Sequence, residues 1–193
     1  MKKLVFCLAI VFILTGCSIE KIKNDNDKET IDFSKEYNIN YNNRFVKASV
    51  LDVLDIFEGG TGIVYLGTPE SNFCLEVIKI LDEISIEYDV NKIYYLDIEK
   101  LKRDNLEDYN KIYKKVKNYL EYKDENNKAL LYLPDVYFVK NGKVIGHHIS
   151  TNKSHDTAVK NSGNWIDLTD YEKSELKNIF VGLLFQLYPC DCK

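Results

Sequence analysis

The chain has 193 residues, 26 Lys and Arg against 30 Asp and Glu, and a formal net charge of −4. That acidic balance excludes the electrostatic footprint of a nucleic-acid binder, and of a protein held on anionic lipid by charge alone. Five cysteines are too few for a disulfide-stapled scaffold of this length. Lys, Asn, Ile and Tyr are abundant, a composition in keeping with an AT-rich, Gram-positive source.

The first element is a secretory signal. Lys2 and Lys3 precede an apolar run from Leu4 to Leu14. The run falls short of the roughly 20 apolar residues needed to span a bilayer. Its order, a basic end, an apolar middle and small residues at the cut, is that of an export signal. Leu14-Thr15-Gly16-Cys17 resembles the bacterial lipobox, which implies cleavage after residue 16 and acylation of the Cys17 thiol. The chain is therefore expected at the outer face of the cytoplasmic membrane, anchored by lipid on Cys17. Two or more acyl chains suffice for stable anchoring, at about 0.8 kcal/mol per buried CH₂.

Residues 17–43 read as a flexible tether, because Asn, Asp, Lys and Glu dominate from Ser18 to about Asn43 without an apolar period. Residues 44–193, about 150, are enough for one domain with a full core. Loss of the signal, with two lysines and no acids, takes the net charge from −4 to about −6.

Within the domain, Val46 to Phe57 carries apolar residues at helical spacing and ends at Glu58-Gly59-Gly60-Thr61-Gly62. Ile63 to Leu66 is a short apolar run, read as a buried strand. Gly67 to Asn72 is a turn, and Phe73 to Ile86 a helix with Val77, Ile80, Leu81 and Ile84 on one face. Lys92 to Asp97 is the next strand, and Leu106 to Tyr122 a polar-faced helix. Asp135 to Lys140 and Lys143 to His147 are strands joined by Asn141-Gly142, a dipeptide that accepts positive φ at both turn positions. His148 to Leu168 is a long polar connection holding Gly163 and Trp165, read as a mobile or functional loop with Trp165 as a local anchor. Thr169 and Glu172 form a capping box that opens a last helix to about Leu187. The expected fold class is α/β, a mixed four-stranded sheet with helices on both faces. The first two strands are joined through a helix and expected parallel, and the last two antiparallel.

This order resembles the thioredoxin-like superfamily over about Val46 to Leu187. Three segments carry the resemblance: Tyr65-Leu66-Gly67 with a short loop and a helix holding Cys74 in its first turn; Leu133-Pro134-Asp135 before a strand; and the hairpin Tyr137 to Ile145. A finer similarity is to thioredoxin-fold bacteriocin transport accessory proteins, which read roughly Gly-x-Pro-x-Cys-x-x-Cys, against Gly67-Thr68-Pro69-Glu70-Ser71-Asn72-Phe73-Cys74 here. The segment ending in Leu168-Thr169-Asp170 is also similar.

Carried over residue by residue, the resemblance puts the attacking cysteine at Ser71 and the resolving cysteine at Cys74. Disulfide exchange starts from a thiolate at the helix N-terminus and passes through a mixed disulfide. A serine hydroxyl does neither. Ser71 is therefore expected as a helix cap, its oxygen accepting from the N–H of Phe73 or Cys74. Cys74 has two readings, a buried inert thiol or a monothiol that bonds one partner. The resemblance further implies a cis peptide at Leu133-Pro134, whose backbone groups would pair with a bound peptide as an added strand. Glu70 and Asp135 are expected to surround Ser71 with negative charge.

Cys7 leaves with the signal, so Cys74, Cys190 and Cys192 remain beside the acylated Cys17. An odd number implies a free thiol or an intermolecular bond. The last helix travels on the order of 25 Å at 1.5 Å per residue, and a disulfide needs Cα atoms within about 7 Å. No bond from Cys74 to Cys190 or Cys192 is expected. Those two pair with each other, pair with another molecule, or stay reduced; a strained Cys190–Cys192 loop would be an oxidant. His147 and His148 alternate across a strand, so with His155 they are expected to hold no metal. No nucleotide loop, nucleophile triad or paired-carboxylate motif calls for a cofactor. The leading expectation is a non-catalytic binding or accessory protein for an exported peptide. The alternatives are a thiol–disulfide oxidoreductase using Cys74 or the Cys190/Cys192 pair, and a structural surface protein.

Overall fold

The computed structural model describes residues 33–188. Cys17, Cys190 and Cys192 lie outside them, as do the signal and most of the expected tether. In chain order the elements are β1 (Phe45–Lys47), α1 (Val50–Glu58), β2 (Gly62–Gly67), α2 (Asn72–Glu87), β3 (Ile93–Asp97), α3 (Ile98–Asp104), α4 (Leu106–Val116), β4 (Tyr122–Lys123), β5 (Ala129–Leu130), β6 (Asp135–Lys140), β7 (Lys143–Ile149), α5 (Lys153–Ser162) and α6 (Asp170–Leu187). The main sheet has the order β1-β3-β2-β6-β7, and β4 and β5 form a separate small hairpin. β1, β3 and β2 run parallel, while β6 is antiparallel to β2 and to β7.

Both faces of the sheet are buried, so its central strands read as continuous apolar runs rather than alternating ones. Alternation along β2 sorts the core into two layers. Ile63 and Tyr65 face one layer with α2 and α6, through Ile78, Leu81 and Phe180. Val64 and Leu66 face the other with α1 and α4, through Val53, Ile112 and Val116.

The main sheet has five strands where four were expected. The helical phase that includes Val46 is a coincidence of spacing. Phe45, Val46 and Lys47 pair with Ile93, Tyr94 and Tyr95, and Ser49 with Asp52 forms a capping box that starts the helix only at Val50.

The expected tether also ends too late. Residues 33–37 form a helical turn, and Phe33 and Tyr37 are fully buried. Phe33 meets Tyr37, Phe45 and Tyr95 at centroid distances of 4.7, 5.2 and 4.8 Å. Tyr37 donates to the Tyr95 hydroxyl at 2.6 Å. Two aromatic residues in a polar stretch thus attach it to the core, a signal that average composition hides.

Two more helices differ from expectation. The helix expected over 106–122 is preceded by α3, which Asp97 caps by accepting from Lys100 N–H at 2.9 Å, and it stops at Val116. The expected 148–168 loop contains α5, which closes on Gly163 at φ +67. Trp165 is a local anchor as expected, edge-on to Phe73 at 5.2 Å and to His155 at 5.1 Å. The Asn141-Gly142 turn and the Thr169 capping box both form. No helix among the described residues is long and apolar enough to cross a membrane.

Candidate functional site

The parallel strands β2 and β3 end together, because Gly67 pairs with Asp97. β2 also pairs with β6 through Leu66 and Asp135. The loop leaving β2, which leads to Ser71 and Cys74, and Pro134, which precedes β6, therefore lie at the same end of the sheet. The Leu133-Pro134 peptide is cis, Pro134 is buried and Leu133 half-buried. Pro134 also accepts from Ser150 N–H at 2.7 Å.

Ser71 occupies the N-cap position of α2, with φ −111 and ψ 124, but its hydroxyl makes no capping bond. This corrects the expected contact with Phe73 or Cys74 N–H. The hydroxyl lies against the Cys74 sulfur instead, where it lowers the thiol pKa. The Ser71 carbonyl accepts the first helical bond, from Leu75 N–H at 3.0 Å.

Cys74, one turn into α2, is free and fully buried. Burial pushes its thiol above the ordinary value; the Thr68 N–H, the Ser71 hydroxyl and Tyr65 pull the other way, and Asp97 adds to the rise. The Thr68 N–H donates to its sulfur at 3.4 Å, and the Tyr65 hydroxyl donates to its carbonyl at 2.9 Å. A protonated thiol without solvent access is a poor nucleophile.

The charge around the loop is not the expected ring of acids. Glu70 reaches outward to Arg103 at 3.3 Å. Asp135 is fully buried and points into its own network, accepting from the Tyr137 hydroxyl and from His147 Nδ1 at 3.2 Å. The carboxylate that bears on Cys74 is Asp97, its own pKa raised by burial. The sequence held a signal for it: neighbouring parallel strands deliver their carboxyl ends to the same crevice. Tyr65 and Thr68 were also missed, since their roles depend on a ring and an amide folding back over the strand. Gly67 leaves the space that the Tyr65 ring fills.

The three histidines are engaged separately. His147 pairs with Asp135, His148 Nε2 lies 2.7 Å from the Thr151 carbonyl, and His155 bridges Thr151 Oγ1 and the Ile166 carbonyl. Among the described residues no group of three or more His, Cys, Asp or Glu is arranged to hold a metal ion.

The fold is α/β and thioredoxin-like in its own topology: a mixed sheet, α2 after the central β2, the proline before β6 and the closing hairpin. No protein-family model and no curated protein matches this chain. Solved structures similar to it include thioredoxin O2 from Arabidopsis thaliana in the oxidised state, at TM-score 0.39 and 15% identity over 62% of this chain and 94% of that one. Thioredoxin O1 from the same organism, also oxidised, aligns at TM-score 0.36 and 14% identity over 61% of this chain and 94% of that one.

Proposed function

We propose that this chain is a non-catalytic, thioredoxin-fold lipoprotein, anchored through Cys17 at the outer face of the cytoplasmic membrane, that binds an exported peptide in the manner of a bacteriocin transport accessory protein. The observation that carries the proposal is the fully buried Cys74, its thiol pushed up by burial, with Ser71 at the position where a nucleophilic sulfur would sit. What remains at that end of the sheet is a binding surface: the Ser71 loop, half-buried Leu133 and the cis-proline Pro134. The lipobox reading of Leu14 to Cys17 supports the anchor and the compartment.

The test is insulin reduction by the full chain in detergent with dithiothreitol present. The native protein should not accelerate precipitation, and Ser71→Cys should gain activity by restoring a thiol at a helix N-terminus. Native activity that disappears in Cys74→Ser, or in a chain ending before Cys190, would establish the oxidoreductase reading in its place.

A further inference from the structure

A cavity of about 470 Å³ lies where β7 gives way to α5. It is lined from both sides of the sheet, by Glu121 and Tyr122 at the start of β4 and by Glu175 and Ile179 on α6. His147 stacks on Tyr137 in one layer, whereas His148 meets Phe180 of α6 in the other. A cavity that reaches both layers and includes both histidines therefore straddles the edge of the sheet. β7 is that edge: among the described residues it has a neighbour strand on one side only. Edge strands present unpaired N–H and C=O groups, a template for another chain.

The charge in the cavity is one-sided. Glu121, Asp156 and Glu175 line it against a single Lys153. None of the three carboxylates has a lysine or arginine partner among the described ion pairs, although Asp156 accepts from the Ser150 and Thr151 hydroxyls and lies 3.9 Å from His155 Nδ1. The His147–Asp135 pair is balanced internally. Lys153 and the amino end of α5 oppose a cation, but three carboxylates outweigh them.

A second observation points to a donor-bearing ligand. Asn152 lies in the cavity wall and is 6% exposed. Its Nδ2 donates to Glu175 at 2.6 Å. That bond fixes the amide orientation, because a flip would set two oxygens together. Its Oδ1 is left buried with no hydrogen-bond partner, a state that costs about 1–3 kcal/mol unless something donates to it. Glu121, Glu175 and Asn152 thus share one wall with the apolar Ile149 and Ile179. An aliphatic stem ending in several N–H donors matches that arrangement.

We propose that this cavity takes the lysine or arginine side chain of an extended partner segment laid along the open edge of β7. The inference goes beyond the surface proposed at the Ser71 loop: it adds a separate contact on the β7 edge, for a basic, strand-forming peptide. A chain of net charge −4 also steers such a partner toward itself.

Fluorescence anisotropy of the full chain tests this with a labelled peptide of alternating valine and lysine and its valine–glutamate counterpart. The lysine peptide should bind, more weakly as salt rises, and the glutamate peptide should not. Glu121→Gln with Glu175→Gln should weaken binding about tenfold or more, and backbone N-methylation of the peptide should abolish it. Leu51→Ala, on the exposed face of α1 and outside the cavity wall, should leave it unchanged. Equal binding of both peptides, no binding of either, or an indifferent double variant overturns the proposal. So does competition by free spermidine as strong as by the peptide, which makes the cavity a cation site without a strand. Binding lost in Ser71→Ala but kept in the glutamine variant refutes the acidic cavity and leaves the Ser71 loop as the peptide site.

Discussion

Phe33→Ala tests whether the domain begins before residue 43. Phe33 has no exposed surface, and its ring contacts Tyr37, Phe45 and Tyr95 within 5.2 Å. Truncating a buried Phe costs about 3–5 kcal/mol, from lost transfer energy and the cavity left behind. For a domain of this size each kcal/mol moves the melting temperature by about 2–4 °C. The expected fall is therefore roughly 6–20 °C, read by circular dichroism on the full chain. Tyr41→Ala is the control from the same segment: Tyr41 is 67% exposed, so it should stay within about 0.5 kcal/mol of the parent. Equal melting temperatures for Phe33→Ala, Tyr41→Ala and the parent would mean the segment is a tether after all.

His147 gives a pH prediction. Its bond to Asp135 raises its pKa above the ordinary value, against burial, which lowers it. A raised imidazole contributes stability that is fully present below the unfolded value of about 6.5 and is lost as pH rises through the folded value. The native chain should therefore lose stability on going from neutral to alkaline pH, and His147→Gln should flatten that slope in urea melts; parallel slopes would refute the pairing. Gly142→Ala and Gly163→Ala separate two costs of a left-handed backbone. Both glycines have positive φ, but a Cβ at 142 would meet Gly59 N at 2.8 Å while one at 163 meets nothing within 4 Å. Gly163→Ala should cost about 1–2 kcal/mol and Gly142→Ala clearly more; equal midpoint shifts in denaturant would show that the hairpin does not press on the Gly59 loop.

The sequence made the central elements legible because their signals are local. Ile63 to Leu66 is a fully buried run, Asn141-Gly142 sets its own turn, and Thr169 with Glu172 caps α6 without outside help. Those signals, with Pro134, place both the fold class and the residues around Cys74. The failures are non-local. β1 is three residues long and becomes a strand only by pairing with β3. Phe33 and Tyr37 bury themselves against Tyr95, 58 positions beyond Tyr37. α5 carries mostly polar residues and buries only His155, so no apolar stripe announced it. Asp97 reached the site through strand register and Asp135 left it through a network with His147 and Tyr137; neither route is written in neighbouring residues.

The chemistry proposed for the site turns on a single turn of helix. Stabilisation of an anion by the helix dipole is strongest at the terminus and falls off within the first turn. Ser71 stands at that terminus with a group that stays protonated at neutral pH, and the sulfur stands deeper, at Cys74, where burial dominates. Three groups, the Thr68 N–H and the Ser71 and Tyr65 hydroxyls, would favour a thiolate there, and burial still outweighs them. Meanwhile the Thr68 contact to sulfur and the Tyr65 contact to the Cys74 carbonyl span the loop from both sides. In that arrangement the sulfur works as a buried acceptor that fixes the loop between β2 and α2, and so holds the surface beside Pro134 in shape. Cys74 therefore has a structural role, as an acceptor inside the loop, that calls for no partner thiol at position 71.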